Sequence, residues 1–184
     1  AENVYHPNAY TKLKDYDYWV ASLEPAGYQT QFDAFANSLV LMLNVGNEID
    51  NQKLLKYCHN LKNTLPLKSL PAFWPVITDK DKDWDLLINN CKYEFRNYPY
   101  QFHNGGTWPM VNGFYGIGLC LQDQNKEAKT VLEQINALNT KADWGFYENF
   151  DSQTEAPNGV KYCTWSAAAT MMLNQFLNGK RWIG

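Results

Sequence analysis

At 184 residues and 21.3 kDa, with 45% apolar residues, the chain is long enough for one domain with a real core and contains no long disordered run. A net charge of −3 and a pI near 5.6 leave no concentrated basic surface for nucleic acid, and no apolar run approaches the roughly 20 residues a membrane span requires. Aromatic residues make up 15% of the chain, seven Trp and twelve Tyr among them, more than a core of this size needs and suited to stacking on the apolar faces of sugar rings.

The first stretch, Ala1 to Asp17, is polar and aromatic and lacks the basic start and apolar block of a leader, so a cytoplasmic location is expected. From Tyr16 to Gln31, aromatics mixed with Pro25 and Gly27 suggest a hairpin or an irregular entry. A helix follows from Ala34 to Val45, apolar at almost every position, capped by Asp33 and therefore expected to be buried on all sides. The next, about Asn51 to Lys62, has a single apolar stripe (Leu54, Leu55, Tyr57, Cys58, Leu61) with Lys opposite, as an outer helix would. After a Pro-punctuated segment from Leu65 to Thr78, Trp84, Leu87, Ile88, Cys91 and Phe95 recur at helical steps and predict a second one-sided helix.

Trp108 to Leu121 is apolar nearly all round yet carries Gly113, Gly116 and Gly118. Each interior Gly costs about 1 kcal/mol relative to Ala, which makes sense where another backbone must come close. Lys126 to Leu138 is cleanly amphipathic, and Thr164 to Leu177 is again apolar all round. Buried and half-buried helices thus tend to alternate, the rhythm of inner helices covered by outer ones. Cys58, Cys91, Cys120 and Cys163 are widely spaced among apolar neighbours and read as buried free thiols, not as a zinc site or a CxxC motif. His6 and His59 have no partner pattern, so no metal and no cofactor are expected.

The candidate chemistry lies in three segments. Phe102-His103-Asn104-Gly105-Gly106-Thr107-Trp108-Pro109 sets polar and aromatic groups on a turn ahead of an apolar helix; Trp144-Gly145-Phe146-Tyr147-Glu148-Asn149-Phe150-Asp151 sets a carboxylate among rings; Tyr162-Cys163-Thr164-Trp165-Ser166 opens the last helix. Taken in this order, with Pro66-Leu67-Lys68 ahead of them, these residues resemble the C-terminal part of the alkaline/neutral invertases. More loosely they are similar to amylo-1,6-glucosidase-type and trehalase-like enzymes built on an (α/α)6 toroid. The resemblance covers about Tyr18 to Leu177.

It implies an all-α fold, about half of an (α/α)6 toroid, formed by residues 1–184 as a single domain with a short β-hairpin or irregular loops at the cleft. It also implies an inverting glycosidase acting on a sucrose-like or α-glucosidic oligosaccharide. In such enzymes two carboxyl groups about 6.5–9.5 Å apart leave room for the attacking water. By the match at Glu-x-x-Asp, Glu148 takes the place of the general base. His103, Asn104, Gly105, Gly106, Thr107 and Trp108 would bind substrate, and Phe73, Trp74, Phe146 and Tyr147 would form stacking walls. The family's general acid, an Asp of its N-terminal half, is expected to lie outside this chain. The missing half-toroid or a second copy would then be the partner. The chain departs from the family at Cys163, where Gln is frequent, and at Gly145-Phe146-Tyr147 ahead of Glu148.

Plainer roles compete with these. Glu148 reads equally as a solvated loop carboxylate and His103 as a turn residue, while Asp33 is a helix cap, Asp151 orders a turn, and Tyr162 and Trp165 belong in the core. Two other functions remain open: a non-catalytic carbohydrate-binding or assembly module, whose inner helices would be exposed along the open edges, and a lyase. A lyase of this fold holds its uronate with Arg, and Arg96 and Arg181, the only arginines, sit in no motif.

Overall fold

The computed structural model describes residues 16–24, 27–89 and 94–183. The entry hairpin is present: β1 (Val20–Glu24) pairs antiparallel with β2 (Gly27–Asp33), and β2 pairs in turn with β3 (Phe73–Trp74), Phe32 opposite Trp74 and Asp33 opposite Phe73. The Pro-punctuated segment thus supplies a third strand.

Asp33 ends β2 and starts α1 (Ala34–Leu43), its Oδ1 accepting the N–H groups of Phe35 and Ala36 at 2.9 and 3.0 Å. Contrary to expectation, α1 is not buried all round. Ala34, Leu41 and Met42 face inward, while Phe35 is 38% and Leu43 65% exposed. Phe35 still meets the Phe114 ring edge-on at 5.2 Å, so this side of the helix is covered only in part.

α2 (Glu48–Thr64) is capped by Asn47 and shows the expected single stripe, with Leu54, Leu55, Cys58 and Leu61 buried. Lys62 departs from it: the side chain is 3% exposed and its ammonium lies 2.6 Å from Glu127 Oε1. α3 (Trp84–Asn89) is shorter than predicted and buries none of its residues. Cys91 lies outside the described residues, and residues 94–98 are irregular, although Trp84 and Phe95 still meet edge-on at 5.6 Å.

α4 (Pro109–Leu121) is the centre of the molecule and packs against α1, α5 (Asn125–Trp144) and α6 (Thr164–Leu177). Gly113 and Gly118 serve the predicted close approach of another backbone, and Gly116 makes room for a side chain. Gly113 faces Ala169 and Gly116 faces Leu173, both on α6, while Gly118 faces Leu41 and the Ser38 carbonyl on α1. Around this seam Leu41, Leu54, Tyr115, Ile117, Leu119, Val131, Ile135 and Leu173 are essentially buried, each of the aliphatic ones contributing about 1.5–3 kcal/mol.

Regular helix in α5 stops near Thr140, because Lys141 is extended and Ala142 and Asp143 are left-handed. α6 has the predicted bounds, but its outer side is open, with Trp165 42% and Met171 63% exposed; Tyr162, just before it, is 68% exposed. Trp165 and Tyr162 are therefore surface residues, not core: Tyr162 precedes the helix, and Trp165 lies at the edge of an open apolar groove between α6 and α4. Cys58, Cys120 and Cys163 are buried free thiols, and burial pushes all three upward in pKa. Among the described residues no helix is long and apolar enough to cross a membrane, and no three His, Cys, Asp or Glu side chains gather as a metal site. The fold is mostly helical, with two small sheets.

Candidate active site

Thr107 occupies the middle of a three-segment ladder. It bridges Pro71, next to β3, on one side and Phe150 on the other, exchanging N–H···O bonds of 2.8 Å with Phe150 in both directions. Phe150 belongs to the hairpin of β4 (Asn149–Phe150) and β5 (Pro157–Asn158). The polar loop, the β3 segment and the acid-bearing hairpin are thereby brought together at the N-terminal ends of α4 and α6.

The loop is stitched from within. Asn104 is 4% exposed; its Oδ1 accepts the Ile77 N–H at 2.7 Å and its Nδ2 donates to Ile77 O and Asn97 O. The Asn97 side chain accepts the His103 N–H at 3.0 Å, and Trp108 Nε1–H donates to Phe102 O at 3.0 Å. Trp108 is 7% exposed and caps α4, with Pro109 at the first helical position where its missing N–H costs nothing. The exposed His103 ring lies flat on the Trp108 indole, centroids 4.9 Å apart at 19°. The indole is thus a floor beneath the imidazole. Tyr100 and Phe102 hold φ values of 72° and 42°, left-handed conformations that bulky residues rarely adopt and that cost of order 1–3 kcal/mol each.

Glu148 begins the hairpin and is half-buried. Its N–H donates to Val160 O at 3.0 Å, and its Oε2 accepts the Val160 N–H at 3.2 Å. Oε1 makes no side-chain hydrogen bond among the described residues. The next residue, Asn149, accepts the Phe102 N–H at 3.3 Å. Two further groups feel the Glu148 charge. The Arg96 guanidinium, raised in pKa chiefly by its bonds to Glu94 and also by Glu148, stands 5.9 Å from the centre of the Phe102 ring. The Cys163 thiol is pushed up by burial first and by Glu148 second. Asp151 acts as the turn residue expected: Oδ1 accepts the N–H groups of Gln153 and Thr154, and Oδ2 accepts from Gln101 Nε2.

The sequence-derived site residues divide into two tiers. His103 is exposed, and Phe73, Trp74, Phe146, Tyr147 and Glu148 are half-buried. Trp74 lies beside Tyr100 at 6.3 Å, Tyr147 beside Phe150 at 6.3 Å, and Phe146 beside Trp144 at 6.0 Å. Asn104, Gly105, Gly106, Thr107 and Trp108 are buried and form the loop's underside, where they shape it instead of facing solvent. Sequence reasoning passed over Arg96, Asn97 and Asn149. Only the scarcity of arginine singled out the first, and nothing local marked the amides.

Comparisons with known proteins identify the family of the chain. The model of the alkaline and neutral invertase family fits residues 9–180. Alkaline/neutral invertase C, mitochondrial, of Arabidopsis thaliana is 21% identical over 95% of the chain and 27% of its own length. The probable alkaline/neutral invertase A, chloroplastic, of the same plant is 24% identical over 89% of the chain and 25% of its own length. Neutral/alkaline invertase 3, chloroplastic, of Oryza sativa subsp. japonica is 19% identical over 88% and 26%. The chain therefore spans about a quarter of the length of the curated relatives it matches. With the family's model fitting nearly all of it, the chain belongs to the alkaline and neutral invertase family.

Proposed function

We propose that the chain carries the base-bearing side of an inverting glycoside hydrolase acting on a sucrose-like or α-glucosidic oligosaccharide, with Glu148 as the general base. The observation that carries this is the joining of the His103 loop to the Glu148 hairpin through the Thr107–Phe150 pair and the Phe102–Asn149 bond. Val160 holds one carboxylate oxygen and leaves the other open. An ionised carboxylate held in this way takes a proton from water as the water attacks the anomeric carbon, and Oε1, without a side-chain hydrogen bond among the described residues, is the oxygen we assign to it. His103 supplies the exposed polar contact to the sugar, with Phe73, Trp74, Phe146 and Tyr147 as the apolar walls. Asn104, Gly105, Gly106, Thr107 and Trp108 hold that surface in shape from below.

The reaction also needs an acid to protonate the departing oxygen. Asp151, the carboxylate nearest to Glu148 in sequence, has one oxygen bound within the turn and the other by Gln101 Nε2, and does not serve. We place the acid outside the 184 residues. The open side of the helices supports this. Met110, Phe114, Ile117, Trp165, Ala168 and Met172 line an apolar groove of about 240 Å³ between α4 and α6. With relatives roughly four times as long as the matched segment, helices from the rest of an (α/α)6 ring would cover it.

The test is Glu148→Gln in the complete enzyme. Turnover of a sucrose-like substrate falls by about 10²–10⁴-fold while sugar binding persists. Unchanged turnover removes Glu148 from the mechanism.

A further inference from the structure

Asn149 is 0% exposed, and its two amide ends face different things. The oxygen accepts the Phe102 N–H at 3.3 Å. Because a backbone N–H must meet an acceptor, this bond fixes which end is oxygen and turns the nitrogen the other way. There Nδ2 is buried and has no hydrogen-bond partner among the described residues. A hidden amide donor left unpaired is costly, and its persistence calls for an explanation.

Gly159 locates what lies on that side. A Cβ built on it would stand 3.1 Å from Asn149 Nδ2 and would collide with Glu148 Oε2. The unpaired donor and the carboxylate therefore flank the same glycine, whose φ of +75° also suits a residue without a side chain. An ionised carboxylate has about four acceptor sites. Among the described residues, Val160 is the one hydrogen-bond donor to the Glu148 side chain.

We propose that Asn149 is a positioning residue for Glu148, its carbonyl tying down the His103 loop while its amide N–H, through one bound water, holds the catalytic carboxylate over Gly159. This rests on Glu148 being the base. One side chain then sets the distance between the sugar-facing loop and the group that activates water. Among the described residues, Arg96, in the irregular segment before the loop, and Cys163, at the start of α6, are charged or titratable groups that respond to the Glu148 charge.

The test is Asn149→Asp, which keeps the shape and the acceptor for Phe102 but turns an anionic oxygen toward Glu148 in place of a donor. Two quantities are read. In the complete enzyme, kcat falls at least about tenfold with little change in KM, and the acidic limb of its pH profile moves to higher pH by about one unit, since a like charge nearby opposes ionisation. In the 184-residue chain, the side-chain carboxyl ¹³C resonance of Glu148, assigned by its loss in Glu148→Gln, titrates about one pH unit higher than in the parent. If Asn149→Asp does not fold, Asn149→Ala withdraws the donor and moves the same resonance in the same direction by less. A resonance that titrates as in the parent overturns the proposal. Retained turnover in Glu148→Gln, by contrast, removes the base assignment and leaves the resonance to decide whether Asn149 reaches the carboxylate.

Discussion

The α4–α6 seam and the loop–hairpin surface are built from similarly small residues and treat them in opposite ways. At the seam, Gly113 and Gly116 lie against Ala169 and Leu173, in regular helix and surrounded by apolar groups. At the loop and hairpin, Thr107 Oγ1, Asn149 Nδ2, Ser152 Oγ and Asn158 Nδ2 are buried without partners among the described residues. There too, Tyr100, Phe102, Trp144, Phe146 and Tyr162 hold positive φ. Unpaired polar atoms and left-handed aromatics both cost stability, and they persist where the surrounding structure over-determines them. The seam is a part built for stability, and the loop–hairpin surface is a part where stability has been given up to hold a shape.

The largest effect that separates the two is expected at Gly159. Gly159→Ala adds a methyl group that collides with Glu148 Oε2 at a φ of +75°. The left-handed penalty is about 1–2 kcal/mol. The larger consequence is a displaced carboxylate, and misplacement by about 1 Å lowers turnover by about 10²-fold. Steady-state kinetics of the complete enzyme with thermal melting as control measures both; parent-like turnover would mean that the carboxylate over Gly159 is not the reacting one.

Gly113→Ala is the matching change at the seam, with the opposite signature. Its Cβ would come 2.7 Å from Ala169 Cβ and 3.0 Å from Ala169 Cα, so α4 and α6 must move apart. Overpacking of this kind costs about 1–3 kcal/mol, partly offset by the roughly 1 kcal/mol helix preference of Ala over Gly. Urea unfolding reads the net loss, and pairing the change with Ala169→Gly recovers more than the single effects sum to, because the two sites touch. Activity per folded molecule stays near that of the parent.

The same contrast marks what was legible in the sequence. Features governed by neighbours along the chain came through: the Asp33 cap, the Thr164–Leu177 helix, the Asp151 turn, the entry hairpin, and the glycines that admit another backbone. Outward exposure did not, because an apolar helix such as α6 has the same pattern whether or not its far side is covered, and Trp165 and Met171 are open. The buried Lys62 was misplaced for a related reason, since its partner Glu127 lies on another helix 65 residues away. Within the site, the family resemblance supplied Glu148 and His103 as candidates. What holds them depends on bonds such as Phe102–Asn149, 47 residues apart, which no local spacing encodes.

The smallest expected effect belongs to the Lys62 contact and tests whether the helical frame, unlike the site, is indifferent to charge. Burial alone would raise the Glu127 carboxyl, but the Lys62 ammonium at 2.6 Å, with His59 at 3.5 Å, outweighs it and holds the group below its ordinary range. A carboxylate whose pKa is lower folded than unfolded contributes stability above the unfolded value of about 4.3, and that contribution is lost as pH falls through the folded one. Glu127 keeps a quarter of its side-chain surface in water, so the contribution is discounted to about 1 kcal/mol or less. Thermal melting at descending pH therefore shows a small loss below the ordinary carboxylate range, and Glu127→Gln flattens that part of the curve. An unchanged acid limb in this variant would show that the Lys62–Glu127 pair adds nothing to the frame, because with a neutral amide at position 127 no protonation remains there to weaken the contact.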